Sequence, residues 1–423
     1  MKKLLWFVTG CILLVFLFIG LKLHSLLSSI PPDIKPAYDG DLALAQEHIP
    51  PSENAFFDLE KASSSLSVTQ GETETVSEHL NGDKWDQAFV NRILSKNEMA
   101  ISLFLDACRR KTFQDPRMYF STSTTMLSPQ IVICKLTALK GLNLWKAGRG
   151  KEGLDLLLLS LDLGATIQNS QVTLIQYMIA LALTRIDLNA LNLCLQKAPL
   201  PVNVLKSALH RLEPLNVSKN GFRSALICEY RAYPPENTFK NAYSNDKMSE
   251  KIWGWFAMKF FYKYNQSRKM LADHFRDRMA DIDKPYSQVP KDTNEKFKID
   301  PKDFTKNLDN VAGRILLSVG MPNFTLFIAK INDTKALLEM TKINFALHIY
   351  RFETGKAAES LSDLVPRYLP RIPTDPFDGK IMRYSKKKSI LYSVGKNLTD
   401  VGGSEGSMKD WNDMDDPTLK IVY

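Results

Sequence analysis

Cysteine and histidine are scarce in this 423-residue chain, and their spacing closes several classes of function. The five cysteines form no CxxC pair, and the six histidines (His24, His48, His79, His210, His274, His348) are nowhere spaced i, i+4. Zinc sites built on either pattern are therefore not expected. No phosphate loop of the form GxxxxGK[ST] and no EF-hand loop occurs. Ser385 and Lys388 satisfy S-x-x-K, but serine–lysine hydrolases carry that motif at a helix start, and here it falls in an expected hairpin turn. No catalytic residue is nominated. The formal charge of +9 comes from 55 basic and 46 acidic residues interleaved along helical segments, and no nucleic-acid-binding motif accompanies it. Nucleic acid is not expected as a partner.

What the sequence does contain begins with an apolar run. Met1-Lys2-Lys3 precedes an uncharged stretch from Leu4 to Leu21, followed by Lys22. About 18 residues is near the lower limit for crossing ~30 Å of hydrocarbon as a helix. The lysine asymmetry places the N-terminus inside and the bulk of the chain outside. A cleaved signal peptide would have a shorter apolar core and a small-residue cleavage site. Val8-Thr9-Gly10-Cys11 is similar to a lipoprotein box, but only four apolar residues precede it. Gly10 could serve as a prepilin cleavage point, but Val15 stands where pilin-like proteins carry glutamate. Residues 4–21 are therefore read as a single-pass anchor in a bacterial inner membrane, with the rest periplasmic.

The remaining chain divides by composition. Residues 1–28 form the anchor, and 29–82 a proline-rich and polar linker with a short helix around Ala55–Leu66. Residues 83–282 form a helical domain, 283–302 a polar flexible loop, and 303–423 a long helix with a small C-terminal module. In the helical domain one helix is expected over Asp83–Arg110, then Ser128–Ala147, Gly153–Leu163 stopping at Gly164, Gln171–Lys197, Pro201–Leu212, Ser218–Ala232 and Met248–Ile282. Short breaks between apolar helices predict antiparallel neighbours. Ala138, Gly141, Trp145, Gly148 and Gly153 give the second and third helices a tetratricopeptide-like look, but one such pair does not make a solenoid. Trp253, Trp255, Phe256 and Phe260 read as core aromatics. Cys108, Cys134, Cys194 and Cys228 sit on apolar helical faces and read as buried free thiols, with disulfides the alternative in an oxidising compartment.

The last eighty residues are the most specific. A helix from Leu326 to Phe352 ends at Gly355, a residue suited to the left-handed cap. A one-turn helix over Ser360–Val365 is stopped by Pro366, and Pro370, Pro373 and Pro376 fix an extended path around Asp375. Ile381–Tyr384 and Ile390–Val394 form an antiparallel hairpin with a lysine-rich tip. Tyr350-x-x-x-x-Gly355, Leu364-Val365-Pro366-x-Tyr368-Leu369-Pro370, Pro373-x-Asp375-Pro376-Phe377-x-Gly379, Tyr384 and Tyr392-Ser393-x-Gly395 together resemble the head of the type II secretion major pseudopilin. The resemblance implies a long helix packed on a small antiparallel sheet. It also implies a calcium ion in the acidic loop after the Tyr-Ser-x-Gly strand, with ligands falling on Ser393, Asp413, Asp415, Asp416 and backbone carbonyls. Hard oxygen donors and glycines that let a loop wrap an ion are the chemistry calcium requires. The layout of anchor, helices and tail is similar to that of uncharacterised membrane-anchored bacterial proteins ending in such a tail.

The expected fold is mainly α: an N-terminal transmembrane helix, an antiparallel helical bundle and a small C-terminal α+β module with a short hairpin. The expected function is a non-enzymatic, protein-binding or envelope-structural role with other envelope proteins as partners. A pseudopilin-like secretion component and a periplasmic hydrolase of unidentified site are the alternatives.

Overall fold

The computed structural model describes residues 30–44, 48–82, 84–117, 127–197, 200–232, 259–291, 295–297, 309–321, 323–404 and 416–423, with a few positions of the first 29. The anchor expected over residues 4–21 lies almost wholly outside this set, as do Trp253, Trp255 and Phe256. The chain separates into two units: residues 44–231, 278–290 and 324–423 form the larger, and 1–43, 232–277 and 291–323 the smaller.

The larger unit opens with four short helices: α1 (Ala55–Ser64), α2 (Gln70–Asn81), α3 (Gln87–Lys96) and α4 (Glu98–Arg109). Two of these differ from expectation. The stretch read as a polar linker contains α2, because Thr69 and Glu72 form a reciprocal capping box that satisfies two orphan N–H groups at its start. The single helix expected over Asp83–Arg110 is two, α3 and α4, broken at Asn97. The buried Asn97 side chain accepts from Ser67 N at 2.8 Å and donates to Ser67 O and Ile93 O. The break ties these helices to the chain thirty residues earlier.

Next comes an antiparallel array of α5 (Leu127–Lys146), α6 (Gly150–Gln168), α7 (Leu174–Lys197) and α8 (Val202–Leu212), followed by α9 (Lys219–Arg231). α6 packs against both α5 and α7. Gly164 does not stop α6. It lies within the helix, where a Cβ would meet Thr184 Oγ1 and the Ala180 carbonyl of α7. A glycine inside a helix costs about 1 kcal/mol relative to alanine, and here it permits close helix approach. Among the described residues two stretches are long and apolar enough to cross a bilayer, Leu174–Gln196 and Val311–Thr354. The first is the central helix of the array, with Tyr177, Leu183, Leu188, Leu191 and Cys194 buried in the core.

The long helix α12 (Phe324–Thr354) packs along α7 and α8 and carries the module at the chain's end. It closes at Gly355, whose φ of 72° takes the left-handed cap. A 3₁₀ turn over Leu361–Leu364 follows. The sheet has three antiparallel strands, β1 (Arg383–Ser385), β2 (Ile390–Tyr392) and β3 (Thr418–Lys420), in the order β1-β2-β3. The hairpin was expected; β3 was not. Leu391, Leu419 and Ile421 share one hydrophobic core with Leu337, Phe345 and Ile349 of α12 and with Leu191 and Leu209 of the array. The module is thus continuous with the bundle core.

The helix expected over Met248–Ile282 is interrupted: of the described residues 259–261 are helical, 262 and 263 are not, and α10 (Tyr264–Asp281) follows, its residues up to 277 belonging to the smaller unit. The Asp33 carboxylate accepts from Asn265 N and Gln266 N at its start, which satisfies orphan donors there. A short helix, α11 (Val311–Gly320), also belongs to this unit. Of the expected loop 283–302, the described portion holds 3₁₀ turns at Tyr286–Gln288 and Glu295–Phe297. All four cysteines beyond the anchor are buried, and none of them is in a disulfide.

Candidate functional site

The C-terminal module contains two buried carboxylates, and each organises a loop. Asp375 is fully buried. Its Oδ1 accepts from Phe377 N at 3.0 Å and from Ser393 Oγ at 2.9 Å. Its Oδ2 accepts from Val394 N and from Arg383 Nη1, both at 2.9 Å. Arg383 also reaches Asp378, and it reaches Asp400 at 3.1 Å. The proline path of residues 370–376 therefore delivers one acid to the turn after β2. Three carboxylates around one guanidinium hold β1 to both flanking loops.

Asp416, also fully buried, sits just before β3. Its Oδ2 accepts from Val401 N and Gly403 N at 2.9 Å each, while its backbone N donates to Ser404 Oγ at 2.9 Å. Its Oδ1 is buried and has no hydrogen-bond partner among the described residues. A buried carboxylate oxygen without a donor is expensive unless something satisfies it. The backbone here is shaped for such a close approach. Gly402 and Gly403 have φ of 83° and 86°, and a Cβ on Gly403 would collide with the Ile390 side chain.

Of the four expected ligands, Ser393 and Asp416 lie in the same module, joined through a backbone bond from Ser393 N to Pro417 O at 3.0 Å. Asp413 and Asp415 lie outside the described residues. The Ser393 hydroxyl is largely committed: it donates to Asp375 and accepts from Gly395 N at 3.1 Å. Among the described residues no group of three or more His, Cys, Asp or Glu converges as a metal site. The carboxylate oxygen Asp416 Oδ1 is the donor type that a hard cation takes. Asp375 and Arg383 were not nominated from sequence, although Pro373-x-Asp375-Pro376 marked the acid as one fixed between two prolines.

The other chemistry-bearing residues are placed as follows. Lys388 Nζ donates to Gly402 O at 2.7 Å in an exposed turn, so the S-x-x-K spacing is not a serine–lysine pair. Gly402-Gly403-Ser404-Glu405-Gly406 has the spacing GxSxG. Ser404 lies in the loop between β2 and β3 with its hydroxyl accepting from Asp416 N, whereas a nucleophile elbow needs a strand-to-helix turn. Gly148-Arg149-Gly150-Lys151-Glu152-Gly153 has the spacing GxGxxG but joins two helices, and the dinucleotide fingerprint needs a preceding strand. His79 bridges Thr75 O and Asp86 N, a structural role. His348 packs against Tyr423 with ring centroids 5.4 Å apart.

On the larger unit a cavity of about 640 Å³ opens where the end of α4, the end of α6 and α9 meet; Lys111, Gln114, Asp162, Thr166, Asn169 and Ser224 line it. Its wall is mostly polar, with hydroxyl and amide groups near one ammonium and one carboxylate. Comparison with protein-family profiles, curated proteins and solved structures finds no match to this chain.

Proposed function

We propose that the chain is a non-enzymatic, protein-binding component of a bacterial envelope. It would be anchored in the inner membrane through residues 4–21, with its helical array and C-terminal module in the periplasm and other envelope proteins as partners. The observation that carries this reading is the polar cavity at the ends of α4, α6 and α9. Its amide and hydroxyl lining can exchange hydrogen bonds with the backbone of an extended segment, the mode in which main-chain groups supply affinity.

The test uses the full chain in its membrane. A photo-crosslinking residue replaces Thr166 in the cavity, or Lys151 on the exposed side of α6. Thr166 is expected to capture a defined protein that Lys151 does not, and a cavity-filling Asn169→Trp is expected to abolish that capture. Equal capture at both positions, or capture that survives the filled cavity, sinks the reading.

A specific observation favours calcium as a structural ion in the tail. The orphaned Asp416 Oδ1 beside the two-glycine turn is what an ion would satisfy, in keeping with the pseudopilin resemblance of the last eighty residues. Calcium would add stability by mass action, about 2.7 kcal/mol at a hundredfold excess over its dissociation constant. The full chain is melted with calcium and with chelator. The calcium sample is expected to melt higher, and Asp416→Asn to remove the difference. Identical midpoints for the wild type would eliminate the ion.

A further inference from the structure

In the smaller unit, the segment after the apolar run and α11 are both fastened to the start of α10. The Asp33 carboxylate accepts from Asn265 N at 2.7 Å and Gln266 N at 3.1 Å, and Ile34 O accepts from Asn265 Nδ2 at 2.8 Å. Farther along α10, Arg268 pairs with Asp39 at 3.3 Å and Arg276 with Asp41 at 2.8 Å. The chain is thus caught at the first turn of α10 and then laid along it. α11 meets α10 at that same turn. The buried Asn310, just before α11, accepts from Lys263 N at 2.8 Å and donates to Ser267 Oγ at 3.0 Å. Asp309 accepts from Gln266 Nε2 at 3.0 Å. Gln266 therefore binds Asp33 through its backbone and Asp309 through its side chain.

Chain length limits how far this junction can lie from the apolar run. Leu21, the last residue of the run, is twelve positions before Asp33. Twelve extended residues reach at most about 40 Å. α11 begins at the junction, and its ten residues span only about 15 Å more.

α11 is apolar on two sides. Gly313 and Leu317 are buried, and Gly313 leaves no room for a Cβ beside Ser267 of α10. Away from them Ala312, Ile315, Leu316 and Val319 form a stripe at i, i+3, i+4 and i+7, with Ile315 50% and Val319 83% exposed. Single exposed apolar residues are ordinary, but a contiguous stripe marks a contact surface. Arg314 and Ser318 carry the only polar side chains of the helix. A helix so nearly apolar all round calls for an apolar medium on its second side as well as its first.

We propose that the Ala312–Val319 stripe of α11 lies in the interfacial layer of the bilayer beside the chain's own anchor, so that its occupant is lipid. The inference rests on the anchoring at residues 4–21 proposed above. A convex helix face suits a flat, deformable acyl layer, and a second, reversible contact of this kind holds the smaller unit to the membrane surface. The surface is separate from the cavity between α4, α6 and α9 and from the Asp416 loop.

The experiment uses the full chain in nanodiscs of phosphatidylethanolamine and phosphatidylglycerol, one chain per disc, with or without phosphatidylcholine brominated on its acyl chains. A fluorescent non-natural side chain replaces Val319, Leu13 within the apolar run, or Lys151 on the exposed side of α6. The probe at Val319 is expected to be quenched by brominated lipid roughly threefold more than that at Lys151, and to be shielded from aqueous iodide. Ile315→Asp, at an exposed position, is expected to reduce quenching at Val319 to the Lys151 level, and an unchanged melting midpoint in detergent shows that the variant folds. A Val319 probe open to iodide and unquenched by bromine overturns the inference, even where Leu13 is quenched and the anchor stands. Protection from iodide that appears only in discs holding two chains overturns it too, and assigns the stripe to a second copy. Equal quenching at Lys151 reduces the effect to random collision and also overturns it. A quenched Val319 with an unquenched Leu13 keeps the lipid contact and removes the anchor.

Discussion

Arg383 and Asp375 meet at 2.9 Å with the carboxylate wholly out of water and the guanidinium nearly so. The pair joins the proline path before β1 to the turn after β2, because the same carboxylate accepts from Ser393 Oγ and Val394 N. Breaking one partner of a buried pair strands the other charge, at a cost of about 3–5 kcal/mol. Arg383→Met is therefore expected to lower the denaturant midpoint of the module sharply. A loss below about 1 kcal/mol would show that the remaining donors to Asp375 suffice without the guanidinium.

Gly153 and Gly141 bring α5 and α6 into near backbone contact. A Cβ on Gly153 would lie 2.5 Å from Gly141 O and 3.2 Å from Trp145 N, and backbone cannot yield as a side chain tip does. Gly153→Ala is expected to push the helices apart and cost roughly 1–3 kcal/mol, the range of an overpacked core. The loss would be measured by chemical denaturation. Glycine-to-alanine inside a helix otherwise stabilises by about 1 kcal/mol, so a gain here would refute the close approach.

Much of this architecture was legible in residue pattern alone. α5, α7, α8 and α12 have strong apolar periodicity and clear breakers, and Gly355 ends α12 where the left-handed cap predicts. The failures share a cause: the deciding interaction is remote or hidden in a polar stretch. α2 looked like a loop because its residues are hydrophilic, yet Thr69 and Glu72 start it. Asn97 reads as an ordinary helical position until Ser67, thirty residues away, is seen to claim its amide. Gly164 reads as a stop when its reason lies across the interface, on Thr184. β3 is three residues long, and its partner is β2, well before it in the chain. At the candidate cation site, Asp416 was expected as a ligand only through the pseudopilin resemblance. What distinguishes it is the unsatisfied oxygen, which no sequence pattern records.

Asp187 offers a pH test of the array's interior. It is wholly buried on α7, with Cys134 Sγ 3.8 Å from Oδ2, and burial holds its carboxyl well above the usual range. With a raised folded pKa, the group is protonated in both states below about pH 4, and its full stabilising share is present there. As pH rises past that value the unfolded chain ionises first and stability falls, by up to about 1.4 kcal/mol per pH unit, until the folded pKa is passed. Asp187→Asn removes this slope and keeps an acceptor for Cys134. The variant is expected to match the wild type near pH 4 and exceed it as pH rises above that. Parallel stability curves for the two proteins would contradict a neutral buried acid.

His348 gives the opposite slope and can be separated from it. Burial, with the Arg351 charge adding to it, pushes the imidazole down to about 4; its Nε2 is buried without a hydrogen-bond partner among the described residues, and its ring lies against Tyr423. Arg351 also stacks over Tyr423, 4.5 Å from the ring centroid, so a charge on His348 would face a fixed cation across one aromatic ring. Above pH 6.5 the histidine is neutral in both states and its contribution is complete. Between pH 6.5 and about 4 the unfolded chain takes up the proton first, and stability is lost by an amount bounded at roughly 3 kcal/mol. His348→Phe keeps an aromatic ring against Tyr423 but cannot take a proton. The difference between wild type and variant cancels the slopes of all other groups, Asp187 included. Denaturant unfolding at pH 7 and pH 4.5 is expected to show the wild type losing about 2 kcal/mol more than the variant between the two conditions. Equal losses would mean that the imidazole finds solvent or a counter-charge on protonation, and that the packing of Tyr423 over His348 does not exclude water.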